Sequence, residues 1–305
     1  KINGIRQKIP SSAIMAVDGV IGRAFGFKGL PFSTPGQASY PSYFILGSGR
    51  SGNTLLRRLL MEDFDTFIPP EMPGLGRCMR GLVQNRFRGW EVCSRSFFTQ
   101  FEASANVNIR NPESGVIYNL WDEIGLSKDD LIAQARDLEL GSRSCQALMN
   151  LLYYNILSKS GYPTTSRTII GDKTPWNVMY TRQLETFFPQ ALFLNIIRNP
   201  FAVINSYFKG FSERTGMSLE DAARRWAISQ NNCLDLARRV GSDRMLVTQY
   251  EDLVKLLGEH QRIGGFLRLN KRREGVVVDG ISSADAKLPH HKRINRRVDT
   301  NSVNS

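Results

Sequence analysis

The sequence lacks long apolar runs and has few cysteines and histidines. No stretch approaches the ~18 apolar residues of a membrane-spanning helix, so we expect no transmembrane segment in this chain. The cysteines form no C-x-x-C pair, which argues against a zinc site or a dense disulfide framework; they are Cys78, Cys93, Cys145 and Cys233. This usage fits a reducing compartment, and we expect a cytoplasmic protein, although an upstream targeting segment could be missing.

Acidic residues are in deficit. The chain has 28 Asp and Glu residues and 40 Lys and Arg residues, which gives a net charge of +12 and an isoelectric point near 9.8. Such a surplus favours anionic partners, among them nucleotide phosphates and acidic acceptors. No nucleic-acid partner is expected, because the sequence has no interleaved aromatic and basic motif of the kind that binds nucleic acids.

The length and composition allow one large domain. A chain of 305 residues that is 41% hydrophobic can build a proper core. Residues 1–40 are mixed and predict an irregular N-terminal lead-in, and residues 41–300 predict a single domain. Oligomeric state is not indicated by any pattern.

Short apolar runs alternate with helical patterns along the domain. The predicted strands are Tyr43–Leu46, Thr66–Pro70, Arg167–Gly171, Ala191–Ile197 and Met245–Val247. This alternation predicts an α/β fold with a mainly parallel central sheet and helices on both faces. Ligands of such sheets bind at the carboxyl ends of the strands.

A glycine-rich loop follows the first predicted strand and precedes a helix. It resembles the phosphate-binding pattern G-x-x-x-x-G-K-[ST], with Gly47, Gly52 and Thr54 in place. Backbone N–H groups and a helix N-terminus in this arrangement bind phosphate. The lysine position holds Asn53, which argues against hydrolysis of a Mg-nucleotide but leaves an anionic nucleotide tail as the expected ligand.

Four more polar residues follow the other predicted strands. Glu71, Lys173, Arg198 and Tyr250 each stand at or just past a strand end. Because carboxyl ends of parallel strands share one edge of the sheet, we expect these side chains to converge on the glycine loop.

With these residues assembled, the chain resembles the sulfotransferases that use 3′-phosphoadenosine 5′-phosphosulfate, over roughly residues 41–300. The resemblance implies a nucleoside-kinase-like fold and identifies the glycine loop as the 5′-phosphosulfate site, formed by Gly49, Arg50, Ser51, Gly52, Asn53 and Thr54. Asn53 departs from the threonine usual in that family. Sulfonyl transfer needs no Mg²⁺, which would explain a phosphate loop without its lysine.

A second set of residues resembles the family's site for the 3′-phosphate. It implies that Arg198 and Ser206, eight positions apart, hold this phosphate. Tyr250 opens a Y-E-D-L stretch that resembles the family's Y-E-[DE]-L. A basic segment at residues 292–297 resembles the part that closes over the adenosine, with Arg296 as the candidate nucleotide contact.

The resemblance also implies the catalytic residues. Glu71, 21 positions after Arg50, stands where related enzymes carry the general base, which takes the proton of the acceptor hydroxyl. Lys173 lies in Gly171-Asp-Lys-Thr-Pro175, similar to the family's G-[DE]-K-[TS]-P. With Arg50, it is expected to stabilise the leaving phosphate.

We therefore expect sulfonyl transfer to the hydroxyl of a carbohydrate, lipid, small metabolite or tyrosine, with adenosine 3′,5′-bisphosphate as the product and no metal. The positive net charge favours an acidic acceptor. The alternatives are a P-loop kinase-like protein and a non-catalytic binder of nucleotides or polyanions. In the family a tryptophan-containing helix begins near residue 300, so we also expect that the C-terminal end is truncated.

Overall fold

The fold is described from a computed structural model, which covers residues 30–34, 36–69, 71–72, 75–109, 125–255 and 258–273. Most of the predicted lead-in, the basic segment 292–297 and its candidate contact Arg296 lie outside these residues. Within them, no helix is long and apolar enough to cross a membrane.

Five parallel strands form the central sheet, as the sequence predicts. They are β1 (Tyr43–Leu46), β2 (Thr66–Phe67), β3 (Ile169–Asp172), β4 (Leu192–Ile197) and β5 (Met245–Gln249). Their order across the sheet is β2-β3-β1-β4-β5, so the glycine loop after β1 leaves the middle of the sheet. On its two sides β1 pairs in parallel with β3 and β4.

The strand limits differ from the predicted ones in four of the five strands, and β4 begins at Leu192, one residue later than predicted. β2 stops at Phe67 instead of Pro70, because proline has no N–H to donate to a strand ladder and Pro69 follows almost at once. β3 begins at Ile169 and ends at Asp172, and β5 continues to Gln249, where its pairing with β4 also ends.

Ten α-helices surround the sheet in the described part of the chain. They are α1 (Asn53–Asp63), α2 (Leu75–Asn85), α3 (Trp90–Ile109), α4 (Lys128–Asp137), α5 (Cys145–Lys159), α6 (Thr181–Phe187), α7 (Pro200–Thr215), α8 (Leu219–Val240), α9 (Tyr250–Lys255) and α10 (Glu259–Phe266). Two short 3₁₀ helices cover Leu140–Ser142 and Pro175–Tyr180.

Helix starts follow the sequence signals. Ser218 and Asp221 form a reciprocal capping box at the start of α8. Asn199 caps α7 through its side chain, and Pro200 occupies the first helical position, where its missing N–H costs nothing. The helix that follows β4 is longer than the predicted 201–210, because it continues to Thr215 before Gly216 ends it.

The core lies between the sheet and its helices. β1 is buried along its whole length, as expected for the central strand of a parallel sheet. All four cysteines are buried and free, and burial raises the pKa of their thiols. They therefore act as small apolar residues in the core, as predicted for Cys145 and Cys233.

Candidate functional site

The glycine loop is closed by its own polar groups. The Ser51 amide donates to the Ser48 carbonyl at 3.2 Å, and the Asn53 side-chain amide donates to the same carbonyl at 3.1 Å. Asn53 is only 5% exposed. The residue at the lysine position thus turns inward and fixes the loop.

Two glycines let tyrosine rings lie directly against the loop. A Cβ on Gly49 would come 2.3 Å from the Tyr207 hydroxyl, and one on Gly52 would come 2.3 Å from the Tyr250 ring. Gly52 also has a φ of +96°, a left-handed conformation that favours glycine. Neither position can accept a larger residue without displacing an aromatic ring.

Arg50, Ser206 and Arg198 meet beside the loop. Arg50 Nε donates to Ser206 Oγ at 2.9 Å, and Arg198 Nη1 donates to the Arg50 carbonyl at 3.1 Å. The Arg198 guanidinium also stacks over the Tyr250 ring, 4.3 Å from its centroid. One cluster therefore joins the ends of β1, β4 and β5.

This cluster has the electrostatics of an anion site. Burial lowers the pKa of Arg50, and the neighbouring positive charge of Arg198 also lowers it. Two positive charges that repel each other are stabilised by an anion bound beside them. The Ser51 hydroxyl is buried and has no hydrogen-bond partner among the described residues, so it can donate to the same ligand. These features fit the phosphates of the expected cofactor.

Glu71 and Lys173 form an ion pair on the other side of the loop. Lys173 Nζ lies 2.9 Å from Glu71 Oε1 and 3.5 Å from the Thr54 hydroxyl. The lysine side chain is 1% exposed, whereas the glutamate is 29% exposed. The second carboxylate oxygen, Oε2, makes no hydrogen bond within the described ranges. A buried cation thus holds a carboxylate that still faces outward.

A buried network around Asp172 fixes the chain on both sides of this pair. Asp172 accepts from Tyr153 at 2.8 Å, from Asn177 at 2.5 Å and, more weakly, from Thr174 at 3.5 Å. The Thr174 hydroxyl accepts from the backbone N–H of Met72 at 2.9 Å. Lys173 lies between Asp172 and Thr174 in sequence, and Glu71 precedes Met72. Burial raises the pKa of Asp172 to about 6.

The structure brings together every described residue of the predicted site, while Arg296 lies outside the described part. It adds Tyr207, Tyr153 and Asp172. Asp172 belongs to the quoted G-D-K-T-P motif and could have been singled out there. Tyr207 and Tyr153 are helix residues whose places in the fold depend on distant contacts. Among the described residues, no cluster of three or more His, Cys, Asp or Glu is placed to hold a metal ion.

Comparisons with known proteins identify the family and agree with the fold. A family model described as "Sulfotransferase family" matches residues 41–271. The sulfotransferase domain from the curacin biosynthetic pathway aligns with a TM-score of 0.52 and 21% identity, covering 87% of this chain and 90% of that one. The sulfotransferase domain from the Synechococcus PCC 7002 olefin synthase gives a TM-score of 0.54 and 23% identity, covering 90% and 89%. No curated protein matches the chain. Because the family model spans well over half of the sequence, the chain belongs to the sulfotransferase family.

Proposed function

We propose that this protein transfers a sulfonyl group from 3′-phosphoadenosine 5′-phosphosulfate to the hydroxyl of an acceptor. The nucleotide supplies an activated sulfonyl group on a phosphate leaving group. In the transfer, the acceptor oxygen forms a bond to sulfur while the bond from sulfur to the phosphate oxygen breaks. The acceptor proton goes to a base of the protein, so atoms and charge balance without a metal.

One observation carries this proposal: an outward-facing carboxylate and a buried ammonium stand together beside a phosphate loop. Glu71 uses Oε1 to hold Lys173 and keeps Oε2 for the proton of the acceptor hydroxyl. Lys173 reaches the loop at Thr54. From there its charge, together with that of Arg50, stabilises the negative charge that develops on the leaving phosphate.

The rest of the cluster supports binding of the nucleotide. Arg198 and Ser206 would hold the 3′-phosphate, since their polar groups meet at Arg50 next to the loop. Ser51, Gly52 and Thr54 would bind the 5′-phosphosulfate through the loop and the N-terminus of α1. Tyr250 would act indirectly, by stacking on Arg198.

The binding test compares two nucleotides that differ in one phosphate. Calorimetric titration without Mg²⁺ should show tighter binding of adenosine 3′,5′-bisphosphate than of adenosine 5′-phosphate. Loss of the charge-assisted contacts in Arg198→Ala should remove most of this difference. Arg238→Ala is the matched control, because Arg238 is an exposed arginine in the last turn of α8 that pairs with Asp235. Equal binding of the two nucleotides by the unaltered protein would overturn the proposal.

The catalytic test uses Glu71→Gln, which keeps the size of the side chain and an oxygen for Lys173. Adenosine 3′,5′-bisphosphate should bind as before, whereas transfer should fall by roughly 10²–10⁴-fold because the base is lost. Turnover that survives in this variant would refute the base assignment. Transfer should also persist when EDTA is added. The single domain over 41–300 and the cytoplasmic location stay predictions.

A further inference from the structure

An exposed apolar surface with one arginine begins three residues after Lys173 in the chain. The 3₁₀ helix that begins two residues after Lys173 leaves Trp176 53% exposed and Met179 47% exposed. The facing side of α8 carries Ile228, which is 39% exposed. Trp176, Met179, Ile228 and Arg225 are called the Trp176 surface below.

Two contacts join the parts of this surface. The Arg225 guanidinium stacks over the Trp176 ring, 5.5 Å from its centroid, and the Asn232 side-chain amide lies 3.9 Å from the Met179 sulfur. Positions 225, 228 and 232 fall on one face of a helix, because residues three and four apart are neighbours. Ile228 therefore lies between the two contacts, and the surface is continuous.

Arg225 also lies within electrostatic reach of the phosphate loop. Burial raises the pKa of Tyr207, and its hydrogen bond with Ser48 and the charge of Arg225 oppose that rise. Tyr207 is the residue whose hydroxyl lies against Gly49. The Arg225 guanidinium thus stacks on one residue of the apolar surface and also interacts electrostatically with Tyr207, which lies against the loop.

The chemistry of the Trp176 surface selects one kind of ligand. Single exposed apolar residues are common, but a contiguous exposed apolar patch marks an interaction site. Arg225 has no ion pair with any carboxylate in the described part of the chain. Stacking on an indole ring orders the guanidinium but leaves its N–H groups free to bind an anion.

We propose that the acceptor is an amphiphilic anion, whose apolar segment lies on Trp176, Met179 and Ile228 and whose anionic group pairs with Arg225. This inference rests on the proposed function, because it names the acceptor class of the same site. Trp176 lies three residues after Lys173, which pairs with Glu71, so the proposed surface begins close in the chain to the proposed base.

The first experiment measures binding of a probe without requiring transfer. With adenosine 3′,5′-bisphosphate at saturation, calorimetry should detect decanoate binding to the unaltered protein and weaker binding of 1-decanol. Arg225→Gln should weaken decanoate binding about 10-fold or more, and Arg225→Lys should restore part of it. Arg238→Gln, an exposed arginine on the same helix, should change nothing.

A matched pair of variants tests the apolar part of the surface. Trp176→Ala should weaken binding of decanoate and 1-decanol alike, because both use the ring. Leu234→Ala should affect neither, since Leu234 is also exposed on α8 but lies nine residues from Arg225, on the opposite side of the helix.

The second experiment measures transfer to 10-hydroxydecanoate and to 1,10-decanediol, which differ only in the anionic group. The unaltered protein should have the higher kcat/KM for the acid, and Arg225→Gln should make the two equal by raising KM for the acid. Three results with the unaltered protein would each overturn this inference. They are a failure to bind decanoate, a failure to transfer to 10-hydroxydecanoate and 1,10-decanediol, and equal kcat/KM for these two acceptors. If adenosine 3′,5′-bisphosphate still binds selectively, the proposed function stands; if that binding fails, the proposed function itself is wrong.

Discussion

Gly52→Ala is the most informative perturbation of the loop. Two separate costs arise there. A left-handed conformation costs a residue with a Cβ about 1–2 kcal/mol. The new Cβ would also lie 2.3 Å and 2.8 Å from two carbons of the Tyr250 ring, and relieving such overpacking costs about 1–3 kcal/mol. We therefore expect the free energy of unfolding to fall by roughly 2–5 kcal/mol.

Gly89→Ala is the matched control for the first cost. Gly89 has a φ of +87°, close to the +96° of Gly52, but a Cβ there would meet no heavy atom within 4 Å. This variant should lose only about 1–2 kcal/mol. The difference between the two glycine variants then measures the contact with Tyr250.

Tyr250→Ala completes a double-mutant cycle, since it makes room for the new methyl group. Denaturant unfolding of Gly52→Ala, Tyr250→Ala and the double variant should show that the double loses less than the sum of the singles. Selective binding of adenosine 3′,5′-bisphosphate should weaken in both single variants, because the ring orders Arg198. If the two losses add within about 0.3–0.5 kcal/mol, the sites are independent and the reasoning is refuted.

Four further outcomes are expected. Lys173→Met should keep nucleotide binding and lower transfer by about 10²–10³-fold, as loss of a donor to a developing anion does; a smaller drop in steady-state assays would contradict its role. Tyr153→Phe should destabilise the fold by about 1.5–3 kcal/mol in denaturant unfolding, because it removes a hydrogen bond to a buried carboxylate. The pKa of Asp172 rises on folding from 3.8 to about 6, so its contribution to stability is full below pH 3.8 and is lost as pH rises through 6. That loss is about 3 kcal/mol, and unfolding curves of Asp172→Asn should lack this pH dependence. Ser218→Ala should cost about 1 kcal/mol through loss of the capping box, and an unchanged unfolding midpoint would contradict it.

Much of the sheet could be predicted, because a buried parallel strand has a recognisable pattern in a short stretch of sequence. β1 and β4 are short apolar runs, and each is followed at once by polar residues that start a turn. The parallel topology then places all strand ends at one edge, so the convergence of Glu71 and Lys173 on the glycine loop could be expected, whereas their 2.9 Å ion pair could not. The sequence could not show that Asn53 would turn back to Ser48, since that contact depends on the loop geometry.

Residues supplied by helices were harder to predict. Tyr153 and Tyr207 are aromatic residues within helical patterns, and nothing in their neighbourhood distinguishes them from ordinary packing residues. Tyr153 reaches Asp172 only because α5 packs over the sheet, and Tyr207 meets Gly49 only because α7 leaves the adjacent strand β4. Such contacts join residues far apart in sequence, so they emerge only from the assembled fold.

The missing loop lysine has a structural counterpart. In the pattern G-x-x-x-x-G-K-[ST] the ammonium comes from the loop itself. Here the ammonium comes from the end of β3, and Lys173 Nζ reaches the hydroxyl of Thr54, the residue after Asn53. Lys173 also holds the Glu71 carboxylate, so one cation contacts both the loop and a carboxylate. Under the proposed function, the ammonium that stabilises the leaving phosphate, Lys173, is therefore 2.9 Å from the base, Glu71. We therefore infer that a lysine at position 53 would add a second cation without replacing Lys173. The double variant Asn53→Lys/Lys173→Met should bind nucleotide but transfer no faster than Lys173→Met alone. Recovered transfer in the double variant would show that the ammonium can come from either position.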